Sequence, residues 1–136
     1  MKVLSRLLVV AIFLAALCAP ASAALSITVH VTNISSSETQ SGAACPVTYN
    51  FTGTINAEGW SAGSNRVVTY RFERSDGTNE KTHQWTSPIG GGSKQVVDSW
   101  TLGGKKEQWE VLHVLTPIDV VSQRSHVHPN CPGTSY

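Results

Sequence analysis

The side chains best suited to chemistry cluster near the C-terminal end. His126 and His128 stand one residue apart in the segment Arg-Ser-His-Val-His-Pro. On an extended strand, residues two apart share a face, so both imidazoles would point the same way. If Pro117-Ile118 makes a two-residue turn, Thr116 pairs with Asp119. His126 then faces Trp109, His128 faces Glu107 and Arg124 faces Val111. Two histidines opposite a carboxylate, His126, His128 and Glu107, form a set able to ligate Zn²⁺ or Cu²⁺. The plainer alternative is a solvated edge strand whose histidines hold nothing.

The same pairing collects Trp109, Val111, His113, Leu115, Val120, Arg124, His126 and His128 on one face. It puts Leu112 and Val114, with Val121 and Gln123, on the other. A tryptophan outside the core beside an arginine and aliphatic neighbours is a common anchor for a partner. The expected binding face is therefore Trp109, Val111, His113, Leu115, Arg124, His126 and His128. A register slip of one residue would exchange the faces and make Trp109 core.

Three other constellations carry less. Gly59-Trp60-Ser61-Ala62-Gly63 matches the spacing of a serine-hydrolase nucleophile elbow. That elbow needs a strand entering and a helix leaving, so that the serine stands strained above a parallel sheet. Here a strand-like segment leaves, and glycines at this spacing make a loop. Gly90-Gly91-Gly92-Ser93-Lys94 lacks the order of a phosphate-binding loop and precedes no helix. Asp119, Ser122 and His126 lie on one hairpin, without donors placed to form an oxyanion hole. Enzymatic activity is not expected.

The elements that would position these residues are strands. From Ala24 onward apolar residues alternate, and no stretch has helical periodicity. Leu25, Ile27, Val29 and Val31 share a face, and the polar stretch SSSETQSG after them reads as a loop. Cys45, Val47, Tyr49, Phe51 and Ile55 form a second segment; Val68, Tyr70 and Phe72 form a third. Asp76-Gly77 is a hairpin signal joining the third to a fourth, about 81 to 86, with Trp85 inward. The glycine triplet at 90–92 should break the chain before a fifth segment, about 94 to 102, with Val96, Trp100 and Leu102 in phase. The sixth spans about 108 to 116 and the seventh about 119 to 128.

The N-terminus carries Lys2 and Arg6, an apolar run of 11 residues from Leu7 to Leu17, and Ala21-Ser22-Ala23. This is the order of a secretory signal peptide, residues 1–23. The run is shorter than the roughly 20 residues that span a bilayer, so no membrane span is expected after cleavage. Lipid attachment at Cys18 would want a small residue before it, and Leu17 stands there. Residues 24–136 then suit one domain. Losing Lys2 and Arg6 turns a net charge of +1 into about −1. Such a chain offers no basic field for nucleic acid or an anionic membrane. Its two remaining cysteines, Cys45 and Cys131, should oxidise together in an exporting compartment.

Seven short strands at regular spacing point to an all-β, seven-stranded immunoglobulin-like β-sandwich after an N-terminal signal peptide. The hairpin between the third and fourth strands favours a split of strands 1-2-5 against 4-3-6-7. The start of the second strand and the end of the seventh would then lie at one end, where Cys45 and Cys131 fall.

The segments CPVTYNFTGTI, VVTYRFERSDG, DSWTLGG and the terminal strand closing on Cys131 resemble small immunoglobulin-like domains of secreted bacterial proteins. The resemblance covers nearly the whole of residues 24–136. It implies fold and export rather than an activity. The chain departs from that pattern at Arg124, His126 and His128. It departs from antibody domains in linking strands two and seven, and in carrying Tyr70 where they carry tryptophan. Asn33-Ile34-Ser35 and Asn50-Phe51-Thr52 fit the glycosylation sequon and, in a bacterial context, read as chance. The expected function is an exported, non-enzymatic binding or structural module, secreted or in the periplasm and cell envelope. It would recognise a protein or glycan through an open sheet face. The alternatives are a histidine-based metal-binding protein and an inhibitor of a secreted enzyme.

Overall fold

The computed structural model describes residues 27–39 and 45–132. The expected signal peptide, residues 1–23 with Cys18, lies outside them, as do Leu25 and Ser26. Among the described residues there is no helix, and nine strands form two antiparallel sheets, consistent with a β-sandwich. In the first sheet β1 (Thr28–Val31) and β2 (Ser35–Glu38) both pair with β3 (Val47–Glu58), which pairs on its other side with β6 (Gly91–Leu102). In the second, β5 (His83–Thr86), β4 (Val67–Arg74) and β7 (Gln108–Thr116) lie in that order. The outer side of β7 is taken by β8 (Val120–Val121) and β9 (Ser125–Val127). Strands one, two and five thus oppose four, three, six and seven, with the first and the last each broken in two.

The breaks correct the expected count of seven. The serine-rich stretch expected as a loop is a strand in its first half. β1 pairs Val31 with Ile55, whereas β2 pairs Ser35 with Thr52. One extra residue is therefore held between β1 and β2, which is a β-bulge. Thr32 stitches it to β3: its amide donates to Thr54 O at 3.0 Å, and its Oγ1 accepts from the Thr54 amide at 2.9 Å. The bulge aims Ile34 into the core, where it is 7 % exposed.

Room for Ile34 comes from Gly53. Position 53 is in phase with Tyr49, Phe51, Ile55 and Ala57, the inward residues of β3. A Cβ there would lie 2.7 Å from Ile34 Cγ2 and 3.0 Å from Leu112 Cδ2. Gly91 plays a comparable part where β6 begins, at φ +122°, with a Cβ position 2.2 Å from Ala57 O. The glycine triplet expected to break the chain therefore starts β6, because a side chain at 91 would collide with β3.

The core lies between the sheets. Val29, Tyr49, Phe51, Ile55, Val96 and Trp100 of the first meet Val68, Tyr70, Phe72, Leu112, Val114 and Val127 of the second. Trp60, from the Gly-Trp-Ser-Ala-Gly segment, joins them, and Trp85 packs partly buried against the cluster. The loop around Trp60 is clamped by Gly90, whose amide donates to Trp60 O and whose carbonyl accepts from the Gly59 amide. It leads into β4 rather than into a helix. Cys45 and Cys131 sit at disulfide distance, Cα atoms 5.6 Å apart, with Cys131 buried. A link closing a loop of 86 residues is worth about 4–5 kcal/mol on chain-entropy reasoning. No helix among the described residues is long and apolar enough to cross a membrane.

Candidate functional site

The register of the last hairpin decides which side chains share the outer face of the second sheet. Between β7 and β9 the pairs are Gln108 with Val127, Trp109 with His126, and Glu110 with Ser125. This is the expected register. Between β7 and β8 it is one residue off, with His113 opposite Val121 and Val114 opposite Val120. The expected faces of β8 are therefore reversed: Val120 packs against the core, and Val121 is outward and 47 % exposed.

Ser122 explains the change. Its amide donates to Leu112 O at 2.9 Å, and its Oγ accepts from the Leu112 amide at 3.0 Å. The side chain replaces a backbone carbonyl in the ladder, and the chain absorbs one residue before Ser125 restores the register. Gln123, expected inside against Leu112, is exposed and accepts from Asn33 Nδ2. Ser122 is buried on the inner side while His126 is outside, so these two members of the discounted triad are apart.

On the outer face, the Arg124 guanidinium lies over the Trp109 ring at 4.1 Å from its centroid. Trp109 is half-buried and Arg124 exposed. Val111 corrects the expected patch. It is 6 % exposed yet stands outside the inter-sheet cluster, so it is covered from the outer side and offers no open surface. Leu115 is half-buried. What remains available is Arg124 with the rim of Trp109.

His113 stands between two carboxylates on this face. Its Nδ1 is 2.7 Å from Glu73 Oε1 and its Nε2 is 2.9 Å from Asp119 Oδ1. Arg71 donates from Nε and a terminal nitrogen to the same Glu73 oxygen, at 2.9 and 2.7 Å. Burial pulls the His113 pKa down, but hydrogen bonds to Glu73 and Asp119 outweigh it and leave the imidazole above its ordinary value. Burial likewise opposes ionisation of Glu73, and His113 and Arg71 overcome it to hold that carboxyl below the usual range.

Glu107, His126 and His128 are brought together as expected, by the Trp109–His126 register. The carboxylate lies between the imidazoles, hydrogen-bonded to His126 Nδ1 and 3.4 Å from His128 Nε2. Both histidines are well exposed. Among the described residues no group of three or more His, Cys, Asp or Glu is arranged to hold a metal ion. The carboxylate contacts both imidazoles, and the Zn²⁺ or Cu²⁺ expectation gains no support from the arrangement.

Sequence reasoning passed over a fourth cluster, on the inner side at the same end. Arg74 Nε is 3.2 Å from Glu110 Oε2, a terminal nitrogen is 2.8 Å from Asp98 Oδ2, and Glu80 pairs with the other terminal nitrogen. The guanidinium also lies 4.9 Å from the centroid of the Trp100 ring. Burial pushes the Glu110 pKa up to about 8, Asp98 adds to the rise, and Arg74 opposes it. The signal was parity: Glu110 is in phase with Leu112 and Val114, Arg74 with Tyr70 and Phe72, and Asp98 with Val96 and Trp100.

Comparison of the chain with protein-family models, with curated proteins and with solved structures returns no match.

Proposed function

We propose that the chain is an exported, non-enzymatic module of immunoglobulin-like type that binds another protein through the outer face of its five-stranded sheet. The observation that carries this reading is the Arg124–Trp109 stack. It presents a cation on a rigid aromatic base beside the Glu107–His126–His128 cluster. Residues held in place before binding lose little entropy when a partner docks, and tryptophan and arginine are both enriched at interface hot spots. The stack also favours a protein over a glycan. A sugar ring packs on an open aromatic face, and Arg124 occupies a face of Trp109. Export is supported by the leader-like residues 1–23 and by the Cys45–Cys131 pair.

The test is affinity capture from the envelope or medium of the producing cell. The wild-type protein is compared with Trp109→Ala and with His126→Ala/His128→Ala. A protein partner retained by wild type and lost with Trp109→Ala, at unchanged melting temperature, is the expected result. Capture that survives Trp109→Ala, or that survives protease treatment of the extract, overturns the reading.

A further inference from the structure

Two sheets present four outer edges, of which two are interrupted and a third is short. β1 and β2 are separated by the bulge at Ile34, and β8 and β9 by the shift after Ser122. β5 is four residues long. These are among the devices by which proteins keep an edge from pairing with another chain. β6 is neither short nor broken, and the charges it carries are Lys94 and Asp98, in phase with its inward residues. It runs twelve residues without proline and pairs with β3 from Val47↔Leu102 to Glu58↔Gly91 without a register shift. Its other side has no strand partner among the described residues. Val97, near its middle, is 59 % exposed. Beside it a cleft of about 240 Å³ opens between the sheets, lined by Tyr70, Phe72, Glu80, His83 and β6 from Lys94 to Asp98.

The charges on β6 say what fits this edge. Opposite residues of an antiparallel pair point to the same side of the sheet. Two copies related by a two-fold axis perpendicular to the sheet therefore place one residue against itself and its neighbours in mirrored order. An axis at Val96 sets Lys94 against the partner's Asp98, and Asp98 against the partner's Lys94. It sets Ser93 against the partner's Ser99 on the other face. An axis at Val97 would put Asp98 against valine and Lys94 against tryptophan. An axis at Gln95 would put Asp98 against glycine and Lys94 against valine. Centring on Val96 gives every charge of β6 an opposite charge. Lys94 makes no ion pair within its own chain among the described residues, whereas Asp98 already meets Arg74.

We propose that the free edge of β6 receives β6 of a second copy of this chain, antiparallel about Val96. The first sheets of the two copies then run on as one, and the cleft is closed from its open side. This contact lies apart from the Trp109 face, on the other sheet, so the dimer leaves that face accessible.

Sedimentation equilibrium of the purified, oxidised protein reads the assembly directly. The expected result is a dimer that dissociates on dilution. Lys94→Glu sets like charges opposite at both symmetry-related positions and should raise the dissociation constant roughly tenfold or more, while Lys94→Arg preserves the dimer. Amide exchange supplies an independent readout. The β6 amides between Ser93 and Ser99 should exchange more slowly in the dimer than in the Lys94→Glu protein, with β7 and β9 unchanged. A monomer at every concentration overturns the proposal. So does a dimer indifferent to Lys94→Glu, slowed exchange on β9 instead of β6, or a different protein bound along β6.

Discussion

Arg74 places its Nε 3.2 Å from Glu110, a carboxylate with no exposed surface. Two more acids, Asp98 and Glu80, share the same guanidinium. Burial favours retention of a proton on Glu110, Asp98 adds to the effect and Arg74 opposes it, leaving a pKa of about 8. The protonated acid then stands where Asp98 can accept its hydrogen bond.

Stability should consequently fall as pH rises from about 4.5 to about 8. Below that window Glu110 carries its proton whether the chain is folded or not. Inside it, only the folded chain keeps the proton, so raising the pH favours unfolding. Glu110→Gln keeps the shape and fixes the neutral state. Urea denaturation at several pH values should give a shallower decline for Glu110→Gln than for wild type. Equal slopes would mean that Glu110 is ionised throughout.

The Gly53–Ile34 contact should behave as a lock and key between edge and core. Gly53→Ala adds a Cβ 2.7 Å from Ile34 Cγ2 and 3.0 Å from Leu112 Cδ2, and should cost about 1–3 kcal/mol by overpacking. Ile34→Ala empties the same space and should cost about 2–5 kcal/mol. The double variant should cost less than the sum of the two, as residues in contact do. Additive losses in chemical denaturation would show that the bulge and β3 do not share this volume.

His113 should titrate above the ordinary histidine value in an NMR pH series. Asp119→Asn and Glu73→Gln should each lower its midpoint. The linkage runs the same way as for Glu110: a raised imidazole stabilises the fold fully below its unfolded pKa, and this is lost as pH rises through the folded value. A midpoint unmoved by both substitutions would separate His113 from its carboxylates.

Much of this arrangement was legible because the inner strands alternate cleanly. Tyr49, Phe51 and Ile55, like Tyr70 and Phe72, are buried on one side and flanked by polar residues, so period and parity read directly. The Trp109–His126 pairing is the one expected from a two-residue turn with Thr116 opposite Asp119; the register next to that turn is one residue off, and the pairing holds because the offset is taken back after Ser122. β2 was not legible, since four exposed residues, Ser35 to Glu38, carry no apolar signal and are held by pairing with β3 and by the Tyr49 hydroxyl on Glu38. Nor was the reversal of Val120 and Val121, which hangs on one serine hydroxyl standing in for a carbonyl. Glu110 was readable by phase. It was passed over because a charge between Trp109 and Val111 reads as a surface residue until Arg74 and Asp98 are known to converge on it.

The Cys45–Cys131 pair has a consequence of another kind. With that bond closed, residues 45 to 131 make a ring, and all of the strands from β3 to β9 lie on it. A protease that cuts once in any exposed loop of the ring, at Asp76-Gly77 or at Lys105-Lys106, opens the circle without releasing a fragment. Such a nicked molecule keeps both sheets tethered and comes apart only when damage and reduction coincide. Under the proposed export, where proteases are present and reductants are scarce, wear and loss of function become separate events.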